Sequence, residues 1–342
     1  MEIITVRGRM GSSRIIVNES LGNLRKYLHP SRTIVITDHQ VNRLYHDFFA
    51  EFDPIEIGCG EEVKTLHTVE DICRRLVERE ADRTSFIVGI GGGIVCDITG
   101  FAASIYMRGV KFAFAPTTLL AQVDAGIGGK NGVNLGGYKN MIGVFQQPEF
   151  VICDPRLLKT LPAEEMACGM AEIIKHAAIG GRKLFDFLEN SVPKIEAGDE
   201  DVLARMIGDS LRIKAAVVGR DEREQGERKK LNFGHSLGHA LEKISGIPHG
   251  QAISIGMVAA ARISVKRGIL PPKEAERVAH LLQRMKLPVD FPFQRELVFE
   301  AMKKDKKRKS DKIDYVLLDS IGHAVIVEIP ISELEEAIDD MR

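Results

Sequence analysis

Short apolar runs, often β-branched, recur through the first half of the chain at 13–17 (SRIIV), 33–37 (TIVIT), 85–88 (SFIV), 111–115 (KFAFA) and 150–153 (FVIC). Each has the length and composition of a buried strand. Residues 68–80 repeat their apolar positions at helical spacing, so strand and helix alternate. That alternation predicts an α/β fold with a mostly parallel, Rossmann-like sheet covered on both faces. After Asp154-Pro155 the pattern changes. Helix-period segments occupy 163–179, 182–188, 200–218, 235–244, 251–267 and 273–285, and strand-like runs nearly vanish. A hairpin of 314–318 with 323–329 and a terminal helix over 332–341 complete the chain. The expected organisation is an α/β domain over 1–155 and a mainly α-helical domain over 156–342. No repeat or linker separates them, so direct packing with a ligand cleft between them is expected.

Composition narrows the class. A chain of 342 residues can bury a substantial core in two ordinary domains. Its 47 basic and 48 acidic residues leave a formal net charge of −1, so no overall field attracts nucleic acid or an anionic membrane. The basic stretch 303–312 (KKDKKRKSDK) lacks interleaved aromatics and fits a solvated helix end or loop. Five cysteines without a Cys-x-x-Cys pair fit reduced thiols. The N-terminus does not have the pattern of a signal peptide, and no stretch approaches the roughly 18 apolar residues of a membrane helix. A soluble, cytoplasmic protein is expected, with no nucleic-acid or membrane partner.

Chemistry concentrates in three places. The first is the turn 89–93 (GIGGG), between a predicted strand and a helix beginning near Ile94. Amides at such a turn can approach phosphate oxygens, aided by the helix dipole. Ile94 occupies the last glycine position of the G-x-G-x-x-G fingerprint, so tight packing is the alternative. Asp38, ending TIVITD, can accept from ribose hydroxyls or cap the next helix. Asp97 can contact nicotinamide or solvate the first helical turn.

The second place runs from Pro116-Thr117-Thr118 through Asp124 to Lys130, Asn131, Asn134, Lys139 and Asn140. Its glycines, lysines and asparagines suit a loop that supplies donors to a phosphorylated or polyhydroxylated ligand. The third is a candidate metal constellation. Glu172 and Lys175 share a helical face, His235 and His239 stand at i and i+4, and His249 opens a later helix. One carboxylate with two or three imidazoles can hold catalytic zinc with positions left for substrate oxygens. Without the zincin glutamate, a pair of ordinary helix histidines is the alternative. The neighbouring Asn232 and Arg228 favour function.

These residues resemble the 3-dehydroquinate synthase family of the sugar phosphate cyclase group. The likeness spans about Asp38 to Gly322 and is carried by GIGGGIVCDITGF (89–101), RGVKFAFAPTTLLAQVDAGIGGKNGVN (108–134), GMAEIIKHA (169–177), DEREQGERKKLNFGHSLGHALE (221–242) and HGQAISIGM (249–257). The resemblance implies an NAD-binding domain, a mainly helical domain, one NAD, one divalent metal (zinc or cobalt) and a homodimer. It implies Glu172, His235 and His249 as metal ligands. NAD contacts would be Asp38, Glu61, Lys64, Gly92, Gly93, Ile94, Asp97, Thr117, Thr118, Lys130 and Lys139. The substrate set would be Asp124, Lys130, Asn140, Lys175, Lys214, Arg228, Asn232, His239 and a lysine of the pair Lys306 and Lys307. Arg108 would reach the phosphate bound by a partner subunit.

Cys96, Ala125, Gly126, Asn131 and Gln251 depart from the family pattern. The implied reaction converts the phosphorylated keto acid 3-deoxy-D-arabino-heptulosonate 7-phosphate to 3-dehydroquinate and phosphate, with His239 as proton relay. Competing readings are another cyclase, such as 2-deoxy-scyllo-inosose synthase, and a metal-dependent polyol phosphate dehydrogenase.

Overall fold

The computed structural model describes residues 1–8, 11–28, 32–303, 308–309, 312–331 and 333–334. Of the predicted terminal helix only residues 333–334 are described, and Lys306 and Lys307 lie outside the described residues. The chain packs as two compact units, Met1–Met166 with Leu203–Arg223, and Ala167–Val202 with the described residues from Glu224 onward.

In the first unit the elements run β1 (Glu2–Gly8), β2 (Gly11–Val17), β3 (Thr33–Asp38), α1 (His39–Leu44), α2 (His46–Phe49), β4 (Ile55–Ile57), α3 (Leu66–Glu78), β5 (Phe86–Gly91), α4 (Gly93–Ile105), β6 (Lys111–Pro116), β7 (Lys130–Leu135), β8 (Tyr138–Phe145) and β9 (Phe150–Cys153). Seven strands form one sheet in the order β1-β2-β9-β6-β5-β3-β4. Its pairs are parallel except β1 with β2. The five strands predicted from apolar runs are the central five. The two not anticipated are edges: β1 alternates partly buried and exposed positions, and β4 has three residues. All of β5 is buried. Phe86 stacks on Phe150 at 5.9 Å within a core that includes Val35, Val88, Ala113 and Ile152.

Chain order reverses between β3 and β5, because β4 lies outside β3 while β6 and β9 follow on the other side. In open parallel sheets, ligands bind beyond the carboxyl ends of the strands at such a switch point. Asp38 ends β3 and Gly91 ends β5, so both stand there.

The glycine-rich stretch around 130–145, expected as a loop, is instead the antiparallel hairpin β7–β8. Gly132 and Gly143 face each other, and a Cβ on either would lie 2.5 Å or 2.4 Å from a carbonyl oxygen of the opposite strand. These glycines serve close strand approach.

The remaining helices are α5 (Ala163–Gly180), α6 (Arg182–Glu196), α7 (Glu200–Arg220), α8 (His235–Ser245), α9 (His249–Lys266), α10 (Pro272–Arg284) and α11 (Arg295–Lys303). Strands β10 (Arg308–Lys309), β11 (Lys312–Ser320) and β12 (His323–Pro330) form an antiparallel sheet, so the predicted hairpin is present with one more strand.

The sequence-based division at 155 falls just after β9, the last strand in sequence of the seven-stranded sheet, whereas the compact units part after Met166 and return 203–223 to the first. Helical periodicity is local, but the core a helix covers is a tertiary matter. In α7, Arg212 bonds Glu2 through Nε at 3.0 Å and Lys214 bonds Asp124, which ties this segment to the first unit.

Candidate functional site

At the switch point, α4 begins directly after Gly92, which as N-cap offers no side chain to the first-turn amides. Such a helix start suits an anion. Gly91 pairs with Pro116, and Thr117 N donates to Gly91 O at 2.9 Å. A Cβ on Gly92 would lie 3.3 Å from the Thr118 methyl, and one on Gly93 would lie 3.0 Å from Ala125 Cβ. Ile94 is half-buried in the first turn. Asp38 uses Oδ1 to cap α1 at Val41 N, 2.8 Å, so the capping role is realised.

Beside this turn lies a polar network. Buried Lys64 donates to Asp97 Oδ2 at 2.5 Å and to Asn140 Oδ1 at 2.6 Å. Asn140 N donates to Asn134 Oδ1 at 2.9 Å, and Asn134 Nδ2 to Glu61 Oε1 at 2.8 Å. Burial pushes the Asp97 carboxyl up to about 6, although the Lys64 ammonium opposes it. The structure thus brings Glu61, Lys64, Asp97 and Asn140 together, linking predicted NAD and substrate residues. Lys130 and Lys139 are exposed on the hairpin. The departing residue Asn131 is buried and ties the hairpin ends by donating to Gly129 O and Gln146 O at 3.1 Å and 2.8 Å. Asp124, in a wide π-type turn, accepts from Lys214.

Arg108 precedes β6, whose far end carries Pro116 and Thr117. Six residues of strand place it roughly 20 Å from those threonines. It is exposed, in the left-handed region (φ 68°), beside Arg83 and Lys111. It does not join the predicted NAD set of its own chain.

In the second unit, α5 carries the fully buried Glu172, and His235 and His249 are the first residues of α8 and α9. Close helix approach makes this possible: a Cβ on Gly256 would lie 1.9 Å from Gly234 O, and one on Gly250 would lie 2.3 Å from Cys168 Cα. Glu172 Oε1 lies 3.7 Å from His235 Nε2 and 3.5 Å from His249 Nε2. Among the described residues this buried oxygen has no hydrogen-bond partner. Donor atoms held tetrahedrally at zinc distances are roughly 3.3–3.6 Å apart, so the three fit a metal site. His235 Nδ1 lies 3.1 Å from the carbonyl oxygen of Phe233, to which it can donate, turning the Nε2 lone pair toward Glu172.

Burial alone would raise the Glu172 carboxyl, but Lys175 and the two histidines hold it well below the usual carboxylate range. Burial, with Lys175 nearby, pushes His235 well below its ordinary value. Burial also opposes charge on His249, yet the negative carboxylates of Glu172 and Glu242 on either side of its ring raise it to about 9.

Lys175 is buried and donates to the other oxygen of Glu172. His239 is exposed, with its ring 5.0 Å from that of His235 and 6.1 Å from that of His249. Arg228 is buried, and Asn232 donates to Glu224 Oε1 at 2.5 Å. Sequence reasoning did not single out Glu224 or Glu242. The spacing of Glu242 seven residues after His235, on the same helical face, was the available signal for the latter.

The 3-dehydroquinate synthase N-terminal model matches residues 54–168 and the 3-dehydroquinate synthase C-terminal model residues 169–308. A 3-dehydroquinate synthase of Geobacter metallireducens is 41% identical over 348 residues, covering 98% of this chain and 95% of that protein. The chain belongs to the 3-dehydroquinate synthase family. Another member, from Campylobacter concisus, is 44% identical over 80% of this chain and 79% of its own.

Among solved structures, a 2-deoxy-scyllo-inosose synthase complexed with carbaglucose-6-phosphate, NAD+ and Co2+ superposes with a TM-score of 0.90 at 25% identity, covering both chains fully. A 2-epi-5-epi-valiolone synthase from Streptomyces hygroscopicus with NAD+ and Zn2+ bound gives 0.87 at 28% identity over 96% of each chain. Other cyclases are therefore structural relatives, while the 3-dehydroquinate synthase family carries the higher sequence identity. A probable glycerol dehydrogenase from Sinorhizobium meliloti, at 0.66 and 17%, shares the fold alone.

Proposed function

We propose that the chain acts as a lyase on 3-deoxy-D-arabino-heptulosonate 7-phosphate, releasing phosphate and forming 3-dehydroquinate in the shikimate pathway. The observation that carries this reading is the buried, unbonded Glu172 Oε1 facing His235 Nε2 and His249 Nε2 in a chain of this family. When bound, NAD supplies a hydride acceptor that later returns the hydride, and zinc or cobalt supplies a Lewis acid for the substrate's hydroxyls.

Glu172, His235 and His249 would hold the metal. The uncapped start of α4 with Gly92, Gly93 and Ile94 would receive the NAD phosphates, and Asp38, Glu61, Lys64, Asp97, Thr117, Thr118, Lys130 and Lys139 complete that set. Lys64 holds Asp97 in place. In the first unit, Asp124, Lys130, Asn140 and Lys214 serve as substrate contacts; in the second, Lys175, Arg228, Asn232 and His239. Arg228 is a planar, permanently charged group that can pair both oxygens of the substrate carboxylate. His239 moves a proton at its imidazole, where exposure permits exchange with water. Phosphate leaves by β-elimination, and ring opening with intramolecular aldol closure forms the carbocycle without net oxidation. Orientation and charge stabilisation carry most of the catalysis.

A cytoplasmic homodimer completes the reading. Its support is Arg108, which stands at the end of β6 away from Thr117 and is available to a neighbouring subunit. Among the described residues no helix is long and apolar enough to cross a membrane.

The test is phosphate release from the heptulosonate phosphate beside glucose 6-phosphate, with catalytic NAD. Many turnovers per NAD without accumulating NADH are expected on the first substrate only. Turnover of glucose 6-phosphate alone would favour an inosose-type cyclase, and stoichiometric NADH would favour a dehydrogenase.

A further inference from the structure

Resting on the metal reading above, the geometry points to Glu242 as the residue that positions His249 for the metal, by accepting from its Nδ1 and so aiming Nε2 at Glu172. Glu242 Oε2 lies 3.2 Å from His249 Nδ1, while the opposite ring nitrogen lies 3.5 Å from Glu172 Oε1. Metal binding requires the neutral imidazole, with one N–H and one lone pair, and a carboxylate on Nδ1 then selects the tautomer whose lone pair is on Nε2. That is the nitrogen on the side of His235 Nε2 and Glu172 Oε1.

The two histidines are oriented by different devices. His235 is fixed by its own backbone, through Phe233 O two residues earlier. His249, following Pro248 as the first residue of α9, is oriented by a side chain from α8. Glu242 has a side-chain exposure of 16%, and His249 of 27%, so water competes only partly for this bond. His239, Glu242 and His249 also bring donor atoms within 4.8 Å of one another. Glu242 as a direct ligand is therefore the alternative that the test must separate.

The experiment is zinc affinity of the purified full chain by competition with a chromophoric chelator, together with the visible spectrum of the cobalt-loaded protein. Glu242→Ala should weaken zinc binding about 10- to 100-fold, the range found for such supporting carboxylates, and move the cobalt bands. Glu242→Gln keeps an oxygen acceptor but is a poor metal ligand, and should recover most of the affinity. NAD affinity and the circular dichroism spectrum should stay unchanged in both.

Zinc affinity of Glu242→Ala within twofold of wild type would overturn the positioning role. Equal losses in the alanine and glutamine variants would also overturn it, in favour of direct ligation. Should the alanine variant fail to fold, a glutamine variant with wild-type cobalt bands supports the role and one with fully lost affinity overturns it. Failure of the wild-type chain to take up zinc at all would instead remove the metal reading.

Discussion

Lys64 Nζ lies 2.5 Å from Asp97 Oδ2, joining the segment before α3 to the first turns of α4 at the switch point of the sheet. Burial raises Asp97 to about 6 from an ordinary value of 3.8. Between those values the unfolded chain has released a proton that the folded protein retains. Asp97 therefore lowers stability progressively as pH rises through that window, by up to about 1.4 kcal/mol per unit, and its full cost is present above it. Urea melts of Asp97→Asn should lack this part of the pH dependence. Lys64→Met should move the Asp97 midpoint, read by carboxyl NMR, higher still. A wild-type midpoint near 4 would contradict the assignment.

Exhaustive chelation should abolish turnover, and zinc or cobalt should restore it. Glu172→Gln should lower metal affinity by more than the roughly 10- to 100-fold expected of a supporting residue. Full activity in protein shown to be metal-free by mass spectrometry would sink the ligand assignment.

Arg228 is almost fully buried, which makes it an effective partner for a desolvated carboxylate. Loss of such a charge pair costs roughly 2–5 kcal/mol, so kcat/KM for Arg228→Ala should fall about 30- to several thousand-fold. NAD and metal occupancy should be kept. If the variant distinguishes a carboxylate substrate from its decarboxylated analogue as well as wild type does, the carboxylate role is wrong.

Gly256→Ala would force α9 away from Gly234, since the new Cβ would lie 1.9 Å from a backbone oxygen. Overpacking of this kind costs about 1–3 kcal/mol. The variant should melt earlier in urea and also bind zinc more weakly, because α8 and α9 carry His235 and His249. Wild-type zinc affinity in a destabilised variant would show that the helix spacing does not govern the site.

The sequence by itself determined the central sheet strands, the alternation that makes them parallel, six helices of the C-terminal half and the residue types of the site. Those are properties of local runs: a buried strand is continuously apolar, an amphipathic helix repeats at its own period, and acids or histidines in apolar helices stand out. Edge strands β1 and β4 escaped because an edge need not be apolar throughout. The hairpin β7–β8 escaped because its glycines resemble loop punctuation until the opposing strand shows why no side chain fits.

Only the tertiary structure decided which core each helix covers, and so returned 203–223 to the first unit. It also set what the side-chain atoms meet: Asp38 Oδ1 caps a helix, and Glu172 Oε1 faces two imidazole nitrogens from other helices. The physical reason is that periodicity reports which face of an element is buried, whereas the direction of a lone pair depends on residues distant in the chain. Glu242 turning His249 is the plainest case, since neither residue type nor spacing states which nitrogen faces Glu172.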